Sequence, residues 1–229
     1  MAATAGEGEE VRRLLDGGAS PDVPDEDGTT ALYQACAAAC WGHKGAVIAL
    51  LDSGADPSRQ EDVERSAMTA LHWAASNEHL AVVRALLGGG ADPGIADSAG
   101  RTALHHAAGR GAAAVVRTLL ASGADPASPD GQGRRPIDLA RQYAGRDIEA
   151  EVVARVTEHA PQGAQITVRR ERSEGGDVRV VAEVRDHAGN LRSESWLCTG
   201  HTEIVRLLET RAGGLSKRRW PSAVGTARQ

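Results

Sequence analysis

"TALHHAAGRGAAAVVRTLLASGADP" runs from Thr102 to Pro126, and its two halves follow different rules. Thr102 stands where a helix N-cap belongs, able to satisfy one of the backbone N–H groups that a first helical turn leaves over. The Leu-x-x-Ala-Ala stretch after it gives a short helix whose small residues let neighbours approach closely. Val115, Val116, Leu119 and Leu120 keep the i, i+3, i+4 spacing of an apolar helical face, so a second helix follows. Gly123 stops that helix, and Asp125-Pro126 leads out in extended conformation. Upstream, Asp97 and Gly100 in "DSAG" mark a tight turn, because glycine accepts a positive φ and an Asp side chain can close a turn.

The stretch recurs. "TALYQA" (30–35), "TALHWAA" (69–75) and the weaker "RPIDLA" (135–140) repeat its first half. "EVRRLLDGGASP" (10–21), "AVIALLDSGADP" (46–57) and "VVRALLGGGADP" (82–93) repeat its second half. Leu71 to Leu104 is 33 residues, and Leu104 to Ile137 is again 33. A period of that length signals an array of units, each too small to bury its own apolar face. Ala2 and Ala3 fall on the positions of Ala74 and Ala75, so the sequence opens inside a unit. Leu32 to Leu71 is 39 residues, which predicts a longer first helix or a bulge within "TALYQACAAACWGH" (30–43) and a longer exit loop from Pro57 to Thr69. The fourth unit lacks the N-cap Thr and the G-A-D exit, and its polarity suits a terminal cap.

These phrases at this period resemble the ankyrin repeat family, of a bacterial type, over about residues 2–158. The resemblance implies a mainly α solenoid of helix-turn-helix units with hairpin loops, assigned here to residues 1–158. It implies that His72 and His105 tie one hairpin to the next repeat, a structural role rather than a catalytic one. It also implies a partner protein bound along the hairpin tips and the inner face of the first helices. Carried over position by position, that surface comprises Glu26, Asp27, Thr29, Cys40 and Trp41 in the first complete repeat, and Arg65, Ser66, Met68, Ser76 and Asn77, with Trp73 beside them, in the second. The third repeat adds Ser98, Ala99, Arg101, Gly109 and Arg110, and the fourth Gln132, Arg134, Gln142 and Tyr143. In that order the groove runs from acidic to basic, and it holds the Trp, Tyr and Arg types enriched at interface hot spots.

The C-terminal third changes period. "AQITVRRER" (164–172), "VRVVAEVRD" (178–186) and "LRSESWLC" (191–198) are strand-like, separated by the turn-rich "SEGG" and "HAGN". They predict a three-stranded antiparallel meander within a unit spanning 161–210, with its interspersed acids and bases on a solvated face. So small a sheet is marginal alone and is expected to lean on the last repeat. "GHTEIVRLLE" (200–209) then reads like a repeat's second helix: Glu203 to Leu208 align with Ala81 to Leu86, while Glu209 replaces Leu87. With its first helix missing, it is read as the relic of a further repeat whose first half the meander replaced or interrupted, the alternative being a plain amphipathic helix. After Glu209 the charged residues are all basic, and 211–229, including "KRRW", is expected to be a disordered, solvated tail rather than a nucleic-acid patch.

Composition excludes several functions. The chain has 229 residues, a net charge of −5 and no Phe. No apolar run approaches the roughly 20 residues of a membrane span. "MAATAGEGEEVRR" lacks the basic and apolar regions of a secretory signal, and three cysteines argue against a disulfide framework, so a cytoplasmic location is expected. "GEGEE" follows no strand and is no dinucleotide fingerprint. Cys36, Cys40 and His43 sit at helical spacing but lack a fourth zinc ligand, so no metal and no cofactor is expected. The reading is a monomeric, non-enzymatic adaptor for another protein. The alternatives are an activity residing in residues 160–210, or a piece of a longer protein of the same kind.

Overall fold

The computed structural model describes residues 8–26, 28–37, 43–61, 66–173 and 175–216. Among them are ten helices and one sheet. Helix α1 (Gly8–Asp16) is followed by three pairs: α2 (Ala31–Ala37) with α3 (Lys44–Asp52), α4 (Ala70–Ser76) with α5 (Leu80–Gly88), and α6 (Ala103–Arg110) with α7 (Ala113–Ala121). Then come α8 (Pro136–Arg141) and α9 (Ile148–Thr157), strands β1 (Gln165–Arg172), β2 (Val178–Arg185) and β3 (Leu191–Cys198), and finally α10 (His201–Ser216). First helices stack on first helices and second on second, giving the solenoid that the period predicts. One continuous core of Leu, Val and Ala side chains threads it, from Val11 through Leu50, Leu86 and Leu119 to Ile204 and Leu208. The lengthened helix or bulge expected within 30–43 falls partly on residues 38–42, which lie outside the described residues.

The repeats are latched by a histidine clasp. The Thr102 N–H donates to Nδ1 of His105 (3.1 Å), so the ring proton sits on Nε2, which donates to the Arg134 carbonyl (3.1 Å). One repeat earlier, Thr69 donates to His72 Nδ1 (3.0 Å), and His72 Nε2 donates to the Arg101 carbonyl (3.0 Å). Each imidazole therefore satisfies a helix N-terminus and the next hairpin together, which is the structural role expected of it. Tyr33 occupies the matching position in the first complete repeat. There the clasp runs in the opposite direction: buried Glu61, from the following hairpin, accepts from the Thr30 N–H (3.2 Å) and hydroxyl (2.8 Å).

Helix α10 is the main revision to the sequence reading. It packs on α8, with further contacts to α7 and α6, and it occupies the place that α7 holds beside α6. Ile204 and Leu208 are buried as Val82 and Leu86 are, while Glu209 stays exposed and pairs with Arg141 (2.8 Å). The stretch is thus not the relic of a further repeat. It is the second helix of the fourth repeat, whose first helix is α8. It runs on through residues 211–216, where the sequence predicts a disordered tail, and Arg211 donates to the Leu120 carbonyl (3.2 Å) near the C-terminal end of α7. Residues 217–229 lie outside the described residues.

Everything between α8 and α10 is an insertion whose two ends meet. The Gly145 N–H donates to the Thr202 hydroxyl (3.3 Å), and the Tyr143 and His201 rings lie 5.0 Å apart. Inside it, α9 sits at the second-helix position by spacing, yet it packs on the sheet. Ile148, Val152 and Val156 meet Val180, Ala182, Val184 and Leu197 in a second core. The sheet is the antiparallel meander expected, in order β1-β2-β3, and its other face carries Arg169, Glu171, Glu183 and Glu194 in ion pairs.

The insertion docks on the helix-helix turns of the second and third repeats, further back along the array than the last repeat alone. Asp177 accepts from the Ala114 N–H (3.0 Å) at the start of α7, whose own N-cap position is Ala112 and offers no side-chain acceptor. Gly200 N–H donates to the Gly111 carbonyl (3.1 Å). At the matching turn of the second repeat stands Glu78, at φ +62 where the third has Gly111 at +79. Its buried carboxylate accepts from the Cys198 thiol (2.8 Å) and lies 3.5 Å from Arg179, and burial pushes its pKa up. A non-glycine residue in this region is strained; here the side chain anchors the insertion.

Two outcomes follow. Ile204→Ala should lower stability by about 2–5 kcal/mol in urea titrations, as a buried core truncation does, whereas a free-standing terminal helix would tolerate it. Burial, then the neighbouring His106, pushes His72 down to about 4 from an ordinary 6.5. The folded state therefore binds fewer protons than the unfolded one in that window. The clasp's stability is full above about 6.5 and drains as pH falls toward about 4. Wild type should lose more stability between pH 7 and about 4 than His72→Gln does.

Candidate functional site

The hairpin between units is built the same way each time. Asp97 Oδ1 accepts from the Ala99 and Arg101 N–H groups (both 2.9 Å), and its Oδ2 takes His106 Nε2 (2.9 Å) and pairs with Arg101 (3.1 Å). Burial raises the Asp97 pKa, but the His106 and Arg101 hydrogen bonds outweigh it and hold the carboxyl well below its usual range. Asp130 repeats the arrangement with Gln132, Arg134 and the Arg134 guanidinium (2.8 Å). Successive fingers are joined through Gly131 N–H to the Ala99 carbonyl (2.9 Å). Gly100 is required twice here: its φ is +75, and a Cβ would stand 2.5 Å from the Gly131 nitrogen. Arg101 and Arg134 thus project from rigid, mutually braced fingers.

The other positions assigned from sequence meet different fates. Glu26 is exposed on the first finger, while Asp27, Cys40, Trp41 and Arg65 lie outside the described residues. Met68 is half-buried, its backbone bridged to Glu61. Trp73 is half-buried and meets Tyr33 edge-on, with ring centroids 6.0 Å apart. Asn77, Arg110 and Tyr143 are engaged by the insertion. Arg179 donates to the Asn77 carbonyl (3.0 Å), and Arg110 stacks on Trp196 at 4.5 Å while donating to its carbonyl (3.2 Å). Tyr143 accepts from Arg155 through its hydroxyl (2.9 Å). The groove expected from the repeats is therefore flanked by the insertion at the ends of its first helices.

Where the two meet there is a cavity of about 350 Å³. The repeats contribute Arg101, His106, Arg110, Arg134 and Tyr143, and the insertion contributes Arg155 and Leu197. Arg101 and Arg134 are neutralised by their Asp partners; among the described residues Arg110 and Arg155 have no carboxylate within ion-pair distance. Burial, and after it the nearby Arg155 charge, pushes the Arg110 pKa down. Sequence reasoning missed Arg155 and Leu197, because both belong to the inserted segment and no repeat position points to them. His106 had a signal in "TALHHAA", where two histidines stand side by side, but only the first had an assigned role.

Residues 37–130 match the family model described as ankyrin repeats in three copies. That span covers the second-helix half of the first complete unit, the two regular units and the Asp97 finger, and it ends at Asp130, where the second finger begins. No curated protein matches the chain. Among the described residues no helix is long and apolar enough to cross a membrane. Ankyrin repeats are generally protein–protein interaction modules.

Proposed function

We propose that this chain, an ankyrin-repeat protein, is a non-enzymatic adaptor that holds a partner protein in the groove of its hairpin fingers and first helices. The observation that carries this reading is the bracing of Arg101 and Arg134. Each guanidinium is held in place by an Asp that also ties down its own finger's backbone. Side chains ordered before binding lose less freedom on association, so more of the contact energy remains as affinity. Trp73 adds a half-buried aromatic surface on the same row of first helices. Affinity would come from burial of the partner against this row, and the charge along the groove would set its orientation.

The groups that could suggest catalysis are held in structural roles, which supports the same reading. Burial, then the Glu78 charge, pushes the Cys198 thiol far up, away from the thiolate a nucleophile needs. Burial lowers the His201 pKa, and its Nε2 bonds to the Gly109 carbonyl (3.2 Å). Assignment to the cytoplasm and a monomeric state belong to the same proposal, and so does the choice of Glu26, Asp27, Trp41, Arg65 and Met68 as further contact residues.

The test compares wild type with a Trp73→Ala, Arg101→Glu, Arg134→Glu variant as baits, with circular dichroism verifying that both are folded. A partner captured by wild type should slow hydrogen exchange at the 97–102 and 130–135 fingers and be lost by the variant. Equal capture by both would contradict groove binding.

A further inference from the structure

We infer that the cavity between fingers and insertion is a receptor for acidic side chains of the partner, filled by an Asp/Glu-rich peptide segment. The inference deepens the groove reading and rests on it. Four guanidinium groups line one cavity of about 350 Å³, drawn from two parts of the chain that the sequence keeps apart. Two of them already have carboxylates in Asp97 and Asp130. The other two do not: Arg110 uses one N–H on the Trp196 carbonyl, and Arg155 uses one on the Tyr143 hydroxyl, leaving their charge uncompensated among the described residues.

Like charges are normally spread apart on a protein surface. Here packing forces them together: Trp196 lies 4.5 Å from Arg110 and 4.2 Å from Arg179, so docking the insertion carries Arg179 to the Arg110 side of the groove as well. The acids where the insertion meets the array are engaged at the helix turns: Glu78 of the second repeat with Cys198 and Arg179, and Asp177 of the insertion with Ala114. The cavity thus lacks a carboxylate that it does not itself use. A guanidinium offers paired N–H donors in a planar fork that matches a carboxylate's two oxygens. The apolar edge of Leu197 and the ring of Tyr143 would flank the aliphatic part of a Glu side chain. Because the cavity is continuous with the fingers that carry Arg101 and Arg134, its occupant is a segment of the protein held in the groove.

The experiment uses the full chain and a fluorescein-labelled octaglutamate peptide, with octaglutamine as the uncharged control, read by fluorescence anisotropy. Octaglutamate should bind and octaglutamine should not. Arg155→Gln should weaken binding about tenfold, the loss expected when one charged hydrogen-bond donor is removed. Arg155→Lys, which keeps the charge and loses the fork, should fall between the two. Raising salt from about 50 to about 300 mM should weaken binding by shortening the screening length. Arg172→Gln, on an exposed part of β1, is the control and should bind like wild type. Equal binding of both peptides, or no response to Arg155→Gln, would overturn the proposal. So would binding of a phosphoserine peptide or a single-stranded oligonucleotide in the absence of octaglutamate binding. If the captured partner is lost with the finger variant yet indifferent to Arg155→Gln, the groove reading stands and the acidic-segment receptor falls.

Discussion

A helix of six residues cannot bury its own apolar face, and α8 is such a helix. Ile137 and Ala140 need a second helix beside them, and the chain supplies it only after residue 200. That single requirement organises the C-terminal half. The residues from 144 to 199 must leave and return at nearly one point, which they do beside the Tyr143–His201 and Gly145–Thr202 contacts. An insertion with adjacent ends can be accommodated without disturbing its host. Here the host repeat closes on both sides of it, and the solenoid's core continues unbroken into Ile204 and Leu208.

Once tethered, the insertion is fixed in orientation by polar contacts at the helix-helix turns. Glu78 is the most informative of these. Its backbone adopts a conformation that the neighbouring repeat fills with glycine, and its side chain is buried against Cys198 and Arg179. The local cost in strain and desolvation is offset by orientation: β3 is drawn against the array, Trp196 slots beside Arg110, and Arg155 is delivered to the groove. A structural contact at the turns thus shapes the arginine-lined cavity between fingers and insertion. In this sense the insertion alters the groove's chemistry without altering the repeats that build it.

Much of this was legible in the sequence, and the reasons differ by element. The 33-residue period exposed the repeats because each unit repeats one packing problem. Thr69 and Thr102 as caps, Gly123 as a stop and the Asp97–Gly100 turn were readable because local geometry dictates those residues. The three strands were readable from their turns. The ownership of α10 was not: its helix-2 pattern is clear, but its first helix is not its neighbour in sequence, because the partner is α8, some sixty residues earlier. α9 misled for the complementary reason, since it stands at the expected spacing and packs elsewhere. The clasp of the first complete repeat was also invisible, because Glu61 replaces a histidine by reaching back from the following hairpin. Long-range substitutions of that kind leave no periodic trace.

The measurement closest to the centre of this account is the stability of a chain from which residues 144–199 are excised, joining Tyr143 directly to Gly200. The junction restores the spacing of the third repeat, because Ile137 to Gly200 then becomes the seven residues that separate Leu104 from Gly111. If α10 is the second helix of the fourth repeat, the shortened chain should keep its helical circular dichroism and unfold in one cooperative urea transition, with Ile204→Ala still destabilising it. A chain that loses the helicity of α8 and α10, or in which Ile204→Ala has no effect, would contradict the split repeat.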